Sequence, residues 1–172
     1  ARARSVFVVG DDVYTAGSEY NGTNWVAKVW KNDNELYDLT DGSKNGSARA
    51  IFVADDKVYT AGYENNGTKH VAKLWKNKSA TDLTDGSNDA TASSIFVAGS
   101  NVYIAGDDGN VVKVWKKGSE LFALTDGSNS AAAYSVFVVG EDVYTAGDDG
   151  KVAKVWKNKK VVFKTSGSNS VF

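Results

Sequence analysis

No cysteine, proline or methionine occurs among the 172 residues, and histidine occurs once, as His70. The lack of cysteine excludes disulfides, thiol nucleophiles and cysteine–metal sites together, and it removes redox chemistry as a guide to compartment. A single histidine, with no nucleophile paired to it in the pattern, does not make a catalytic triad. A formal net charge of −1 excludes any general attraction to nucleic acid or to an acidic membrane surface. No run approaches the ~18–20 apolar residues that a membrane helix needs. The joint absence of proline and methionine from a chain this long points to amplification of one unit lacking both, by nature or by design. What is present is 42% apolar residues, 12% of all residues being aromatic, which argues for a soluble, globular chain rather than a disordered one. The length suits one domain with a sizeable core.

The dominant signal is internal repetition. The stretch SVFVVGEDVYTAGDDGKVAKVWKN at 135–158 has close counterparts beginning at Ser5, Ala50 and Ser94, and LTDGS follows the first three copies. Self-similarity at about 40–45 residues is the mark of stacked supersecondary units. We therefore expect one domain over 1–172, with units at approximately 5–48, 49–92, 93–133 and 134–168 and a tail at 169–172. Each unit reads as four short strands. The first is a continuous β-branched and aromatic run, SVFVV at Ser5 and Ser135, AIFVA at Ala50 and SIFVA at Ser94. A tight polar turn leads to VYTAG or VYIAG, then to VAKVW, VAKLW or VVKVW, and last to a variable strand such as ELYDLT at 35–40. Helix is excluded by apolar runs that are short, β-branched and punctuated by turn residues.

The third strand ends in Trp30, Trp75, Trp115 and Trp156, whose recurrence fits a structural anchor buried between neighbouring units. Lys28, Lys73, Lys113 and Lys154 lie two residues earlier, on the same side of the strand as the indole. Their expected behaviour is a stem laid over apolar surface with the ammonium in solvent, near the tryptophan ring.

The run VYTAGDDGKVAKVWKN resembles the WD-repeat signature, in which a small-residue strand and an Asp-containing turn precede a Lys/Arg–apolar–Trp–Asp ending. All four copies carry the pattern. Two family motifs are absent: the tryptophan is followed by Lys31, Lys76, Lys116 or Lys157 rather than Asp, and Asp-Gly-Ser stands where the family has Gly-His. The resemblance implies an all-β fold, a β-propeller of four four-stranded antiparallel blades. A single meander with two apolar faces cannot bury itself, so each blade must pack on its neighbours. Four copies are simplest to close as one monomeric ring; the alternative is half of a larger ring made by two chains, a homodimer, which Ser170–Phe172, the opening of a fifth copy, also suggests.

Because the strands alternate in direction, the second-to-third and fourth-to-first connections share one end of the blades. That end is acidic, with the turns Asp107-Asp108-Gly109 and Asp148-Asp149-Gly150, and its longer loops in copies one and two carry aromatics. The opposite end carries the lysines that follow each tryptophan, interleaved with acids, which disfavours nucleic acid. The candidate ligand-binding residues are Tyr20, Asn21 and Trp25 in copy one and Tyr63, Glu64 and Asn65 in copy two; exposed aromatics beside amides and carboxylates on a rigid scaffold suit a protein, peptide or saccharide ligand. No catalytic constellation, cofactor motif or metal-ligand spacing is present, since the Asp-Asp-Gly turns lack the dense oxygen alternation of a calcium loop. The reading is a non-catalytic scaffold or binding module, without nucleic-acid or membrane partners. A lectin-like protein using the aromatic loops of the first two blades is the alternative.

Overall fold

A computed structural model describes residues 1–166. It holds sixteen strands and no helix among the described residues. The first unit comprises β1 (Arg2–Val9), β2 (Asp12–Tyr20), β3 (Trp25–Lys31) and β4 (Asn34–Asp38). The second comprises β5 (Gly46–Ala54), β6 (Lys57–Asn65), β7 (His70–Lys76) and β8 (Ser79–Asp82). The third comprises β9 (Ala90–Ala98), β10 (Asn101–Asp108), β11 (Val111–Lys116) and β12 (Ser119–Ala123). The fourth comprises β13 (Ala131–Val139), β14 (Asp142–Asp149), β15 (Val152–Lys157) and β16 (Lys160–Lys164). Each unit is a separate antiparallel sheet in simple meander order. The four sheets are the four blades.

The strands are held by the residues that recur. The first hairpin of every blade is a two-residue turn, as the Val9–Asp12 and Ala54–Lys57 pairs show. Both turn residues of the second copy, Asp55 and Asp56, have positive φ, as such primed turns require. The asparagine of WKN takes a left-handed conformation at Asn32, Asn77 and Asn158. There its amide N–H donates to the second strand, and its side chain accepts in return, Asn32 Oδ1 from Val13 N–H at 2.9 Å. The threonine of LTDGS ends the fourth strand by accepting a third-strand N–H, Ala27 to Thr40 Oγ1 at 3.1 Å and Val112 to Thr125 Oγ1 at 2.9 Å. These motifs satisfy backbone groups at strand ends, which accounts for their repetition without any ligand.

The first strands are longer than the five-residue runs that announce them, because each carries a bulge. The register skips Arg4, Arg49, Ser93 and Tyr134 in turn, opposite the Ala-Gly step of the second strand. That step needs glycine. A Cβ on Gly17, Gly62, Gly106 or Gly147 would lie within 1.9–2.2 Å of a carbonyl oxygen of the bulged strand. A bulge redirects one side chain and sharpens the local twist.

Blades stack through their faces, first strand to first strand, β1 on β5, β5 on β9 and β9 on β13. The first strands therefore form the inner edge of an arc and the fourth strands its rim. Each interface mates a trailing face with the leading face of the next blade. Ala16, Ala27, Val29 and Leu39 of blade 1 meet Ala48, Ile51, Val53, Val58 and Trp75 of blade 2. Trp115 and Trp156 take the same place against blades 2 and 3. These three indoles are at most 1% exposed. Along the inner edge, Phe7, Phe52, Phe96 and Phe137 form a ladder with ring centroids 4.6, 5.6 and 4.7 Å apart.

The arc does not close. Among the described residues, blade 1 and blade 4 are not stacked on each other as neighbouring blades are. Val6 and Val8, on the leading face of blade 1, are 62% and 57% exposed, whereas their counterparts Ile51 and Val53 are 5% and 8% exposed. Phe137, Val139, Val162 and Phe163 are likewise exposed on blade 4. The simplest expectation, one chain closing its own ring, is not met among the described residues, where the outer faces of blades 1 and 4 stay exposed. Ser170–Phe172 lie outside the described residues.

Candidate functional site

The loop residues singled out in the sequence come to one end of the arc, but most are engaged within their own loops. Asn21 accepts the N–H groups of Thr23 and Asn24 at 2.9 and 2.8 Å and donates to the Gly42 carbonyl, which makes it the organiser of a tight turn. Asn65 Oδ1 accepts from Gly67 N–H at 2.6 Å. Glu64 pairs with Lys73 at 3.3 Å. Tyr63 stacks on His70, centroids 4.0 Å apart, with the Arg49 guanidinium 5.3 Å from its centroid. Trp25 packs beside Tyr20 at 5.6 Å and under the Arg2 guanidinium at 4.1 Å. Tyr20 remains 52% exposed and borders a surface cleft of about 580 Å³ with Asn21, Lys28, Asp38 and Lys78. Blades 1 and 2 thus hold two separate aromatic pairs.

The repeated lysines depart from expectation. Lys28 sits among Glu19, Glu35 and Asp38 at 3.2, 2.5 and 2.8 Å. Lys73 meets Glu64 and Asp82, Lys113 meets Asp108 and Glu120, and Lys154 meets Asp149. Burial works against the Lys28 ammonium, yet the bonds to Asp38, Glu35 and Glu19 outweigh it and raise its pKa. So the ammonium is sequestered by carboxylates rather than exposed to solvent or set over the indole. It is the lysine after each tryptophan that approaches a ring, Lys31 over Tyr14 at 5.4 Å and Lys116 over Tyr103 at 5.2 Å. The acidity of the loop end is consequently spent in part on these lysines. Among the described residues, no group of three or more histidine and carboxylate side chains is placed to hold a metal ion.

A second constellation was missed in the sequence. The four bulges aim Arg4, Arg49, Ser93 and Tyr134 at the inside of the arc, where, with Asp107, they line an axial cleft of about 490 Å³. Tyr134 donates its hydroxyl to Asp148 at 2.6 Å, and this bond, with some burial, raises the phenol's pKa. Burial pushes the Asp107 carboxyl up to about 6; Arg49 opposes the rise, and Asp108 and Asp148 add to it. Neither Arg4 nor Arg49 is in a salt bridge among the described residues, unlike the four repeated lysines, and Arg49 Nε is buried without a protein hydrogen-bond partner. The signal was in the repeat itself. The residue before the Ser/Ala of each first strand reads Arg, Arg, Ser, Tyr while the strand around it barely changes.

Four radially stacked four-stranded meanders around an inner edge define a β-propeller architecture. Solved structures agree. The chain is similar to the computationally designed Ika4 protein, at 20% identity and a TM-score of 0.54 over 91% of each chain. It is also similar to the WD40 β-propeller domain of Doa1, at 19% identity and a TM-score of 0.58, covering 98% of this chain and 55% of that one. At such identities the likeness concerns the fold alone. No known family description and no curated protein matches the sequence. The chain is a propeller-type repeat protein.

Proposed function

We propose that the chain is a non-catalytic binding module whose recognition surface is the axial cleft, and that its ligand is an acidic group carried by a protein or peptide. One observation carries this reading: whereas the four repeated lysines are paired with carboxylates, Arg4 and Arg49 line one cleft with no salt bridge of their own among the described residues. Planar guanidinium groups suit bidentate capture of a carboxylate or phosphate. Bulges on a rigid sheet also hold them more firmly than loops would. The non-catalytic part of the reading is supported by the placement of the one histidine, whose ring stacks on Tyr63 and whose backbone N–H donates to Asp89. Descent from WD-type repeats and origin by amplification or design both agree with the repeated strands.

Screening an acidic peptide library at low ionic strength tests the reading. Binding is expected, with a loss of about tenfold or more for Arg49→Ala, in keeping with a charge-assisted pair; absence of binding to every peptide would defeat it. A saccharide ligand at Tyr20 and Trp25 is the second reading, favoured by the exposed Tyr20 ring bordering the outer cleft. A glycan array separates the two: sugar binding lost in Tyr20→Ala but kept in Arg49→Ala would move the site to the loops.

A further inference from the structure

In blades 2 and 4 the bulge residue finds a partner on its own blade, in the residue that follows the Ala-Gly step. Arg49 lies over the Tyr63 ring at 5.3 Å, and Tyr134 donates to Asp148 at 2.6 Å. Blade 3 departs from this pattern. Its bulge residue is Ser93, and the corresponding Asp107 is half-buried with neither a hydrogen bond nor an ion pair among the described residues. A partly desolvated carboxylate left without a partner is costly. Arg49, on the preceding blade, is its counterpart of opposite sign. Its charge acts on Asp107, yet no ion pair joins the two, and Arg49 Nε is buried without a protein partner. Two unsatisfied groups of opposite charge thus line one cleft with a gap between them. Both belong to blades packed by a neighbour on either side. We propose that this gap takes the amino terminus of a peptide whose first residue is acidic, the α-ammonium donating to Asp107 and the side-chain carboxylate accepting from Arg49.

This rests on the axial cleft being the recognition surface, and it names which acidic group the cleft selects. An anion alone would satisfy Arg49 but would set its charge against Asp107, which already feels Asp108 and Asp148. A cation alone would meet Asp107 but would face Arg4 and Arg49. A ligand with both charges a few bonds apart leaves neither protein group unpaired. An acidic residue at a free amino terminus carries both on one short side chain and backbone. A carboxy-terminal lysine carries both as well, but fixing its long stem costs more side-chain freedom. The protonation of Asp107 follows the same logic. The charged or titratable groups around it are Arg4 and Arg49 on β1 and β5, Asp108 on its own strand, and Tyr134 and Asp148 on β13 and β14. Its cross-strand neighbours, Thr91 and Val112, do not titrate. Burial pushes its carboxyl up to about 6, and an ammonium requires the ionised form, so binding weakens on acidification. A lone carboxylate would show the opposite trend.

Calorimetric titration of the full chain tests the proposal, with peptides that have aspartate first and varied residues after it, each in a free and an amino-terminally acetylated form. The free form is expected to bind about tenfold or more tightly than the acetylated one at neutral pH, as for a charge-assisted pair. It is expected to lose about tenfold in affinity as pH falls from about 7 to about 5. Asp107→Asn is expected to abolish both effects; Asp107 has no partner in the fold, so circular dichroism stays unchanged. Equal binding of the two forms, or tighter binding of the acetylated one, would overturn the proposal while leaving the cleft a site for acidic groups. Binding of neither form would defeat the broader reading as well. A preference for the free form that survives in Asp107→Asn would place the ammonium elsewhere and would also overturn it.

Discussion

Blade 3 and blade 1 are written in nearly the same residues, yet they live in different surroundings. Trp115 is 1% exposed because the trailing face of blade 2 covers it, whereas Trp30, at the same position, is half-buried because none of the described blades covers that face. Ile95 and Val97 are core residues, and Val6 and Val8 are surface residues. The difference teaches that a repeat unit specifies its sheet internally but its burial only through its neighbours, as expected for an architecture whose stability is largely a sum of unit and interface contributions.

The largest expected effect separates the two positions. Trp115→Ala removes an indole from a filled interface and is expected to cost about 3–5 kcal/mol in a denaturant titration. Trp30→Ala is expected to cost clearly less, because this indole is only half-buried. Equal losses at both sites would break the comparison.

The glycine opposite each bulge sharpens it from the other side. A Cβ at Gly17 would sit 1.9 Å from the Arg2 carbonyl oxygen, and one at Gly106 equally close to that of Thr91. Since this crowding lies within a blade, Gly17→Ala and Gly106→Ala are expected to destabilise alike, by at least ~1–3 kcal/mol. Thermal unfolding of the pair decides whether the bulge is a property of the unit or of its neighbours.

A smaller effect concerns Asp107. Its carboxyl is raised to about 6 by burial, so the folded chain holds that proton more tightly than the unfolded chain does. Stability is therefore expected to fall as pH climbs from about 4 through 6, with the full penalty above that, on the order of 1 kcal/mol after allowance for solvent screening. Asp107→Asn is expected to flatten this part of the stability–pH curve; an unchanged slope would assign it to other groups.

Much of the fold was legible because the recurring residues report local geometry. Strand runs, turn residues and the tryptophan period led to sixteen strands in four meanders, and WKN and LTDGS proved to be strand-end hydrogen-bonding devices. Two things were not legible, for physical reasons. Ring closure depends on an inter-blade angle, and end faces carry the same residues as internal ones, so their sequence cannot differ in kind. The axial convergence of Arg4, Arg49, Ser93 and Tyr134 depends on a bulge that reverses the alternation of one strand, and periodicity assumes that no such break exists. The six loop residues lie at one end of the arc, and most are held by contacts within their own loops that strand periodicity does not encode. Lys117 shows the tolerance of the scheme: it replaces the WKN asparagine in copy three, keeps the left-handed φ and the bond to the Val102 carbonyl, and lacks the side-chain acceptor.

The central claim is that the bulge of each first strand turns a side chain into the axial cleft, where Arg4 and Arg49 form a recognition surface. Calorimetric titration of an acidic peptide into the chain and into Arg49→Ala tests it most directly. Binding to the chain that is lost in Arg49→Ala is the predicted result. Equal binding to both would contradict it.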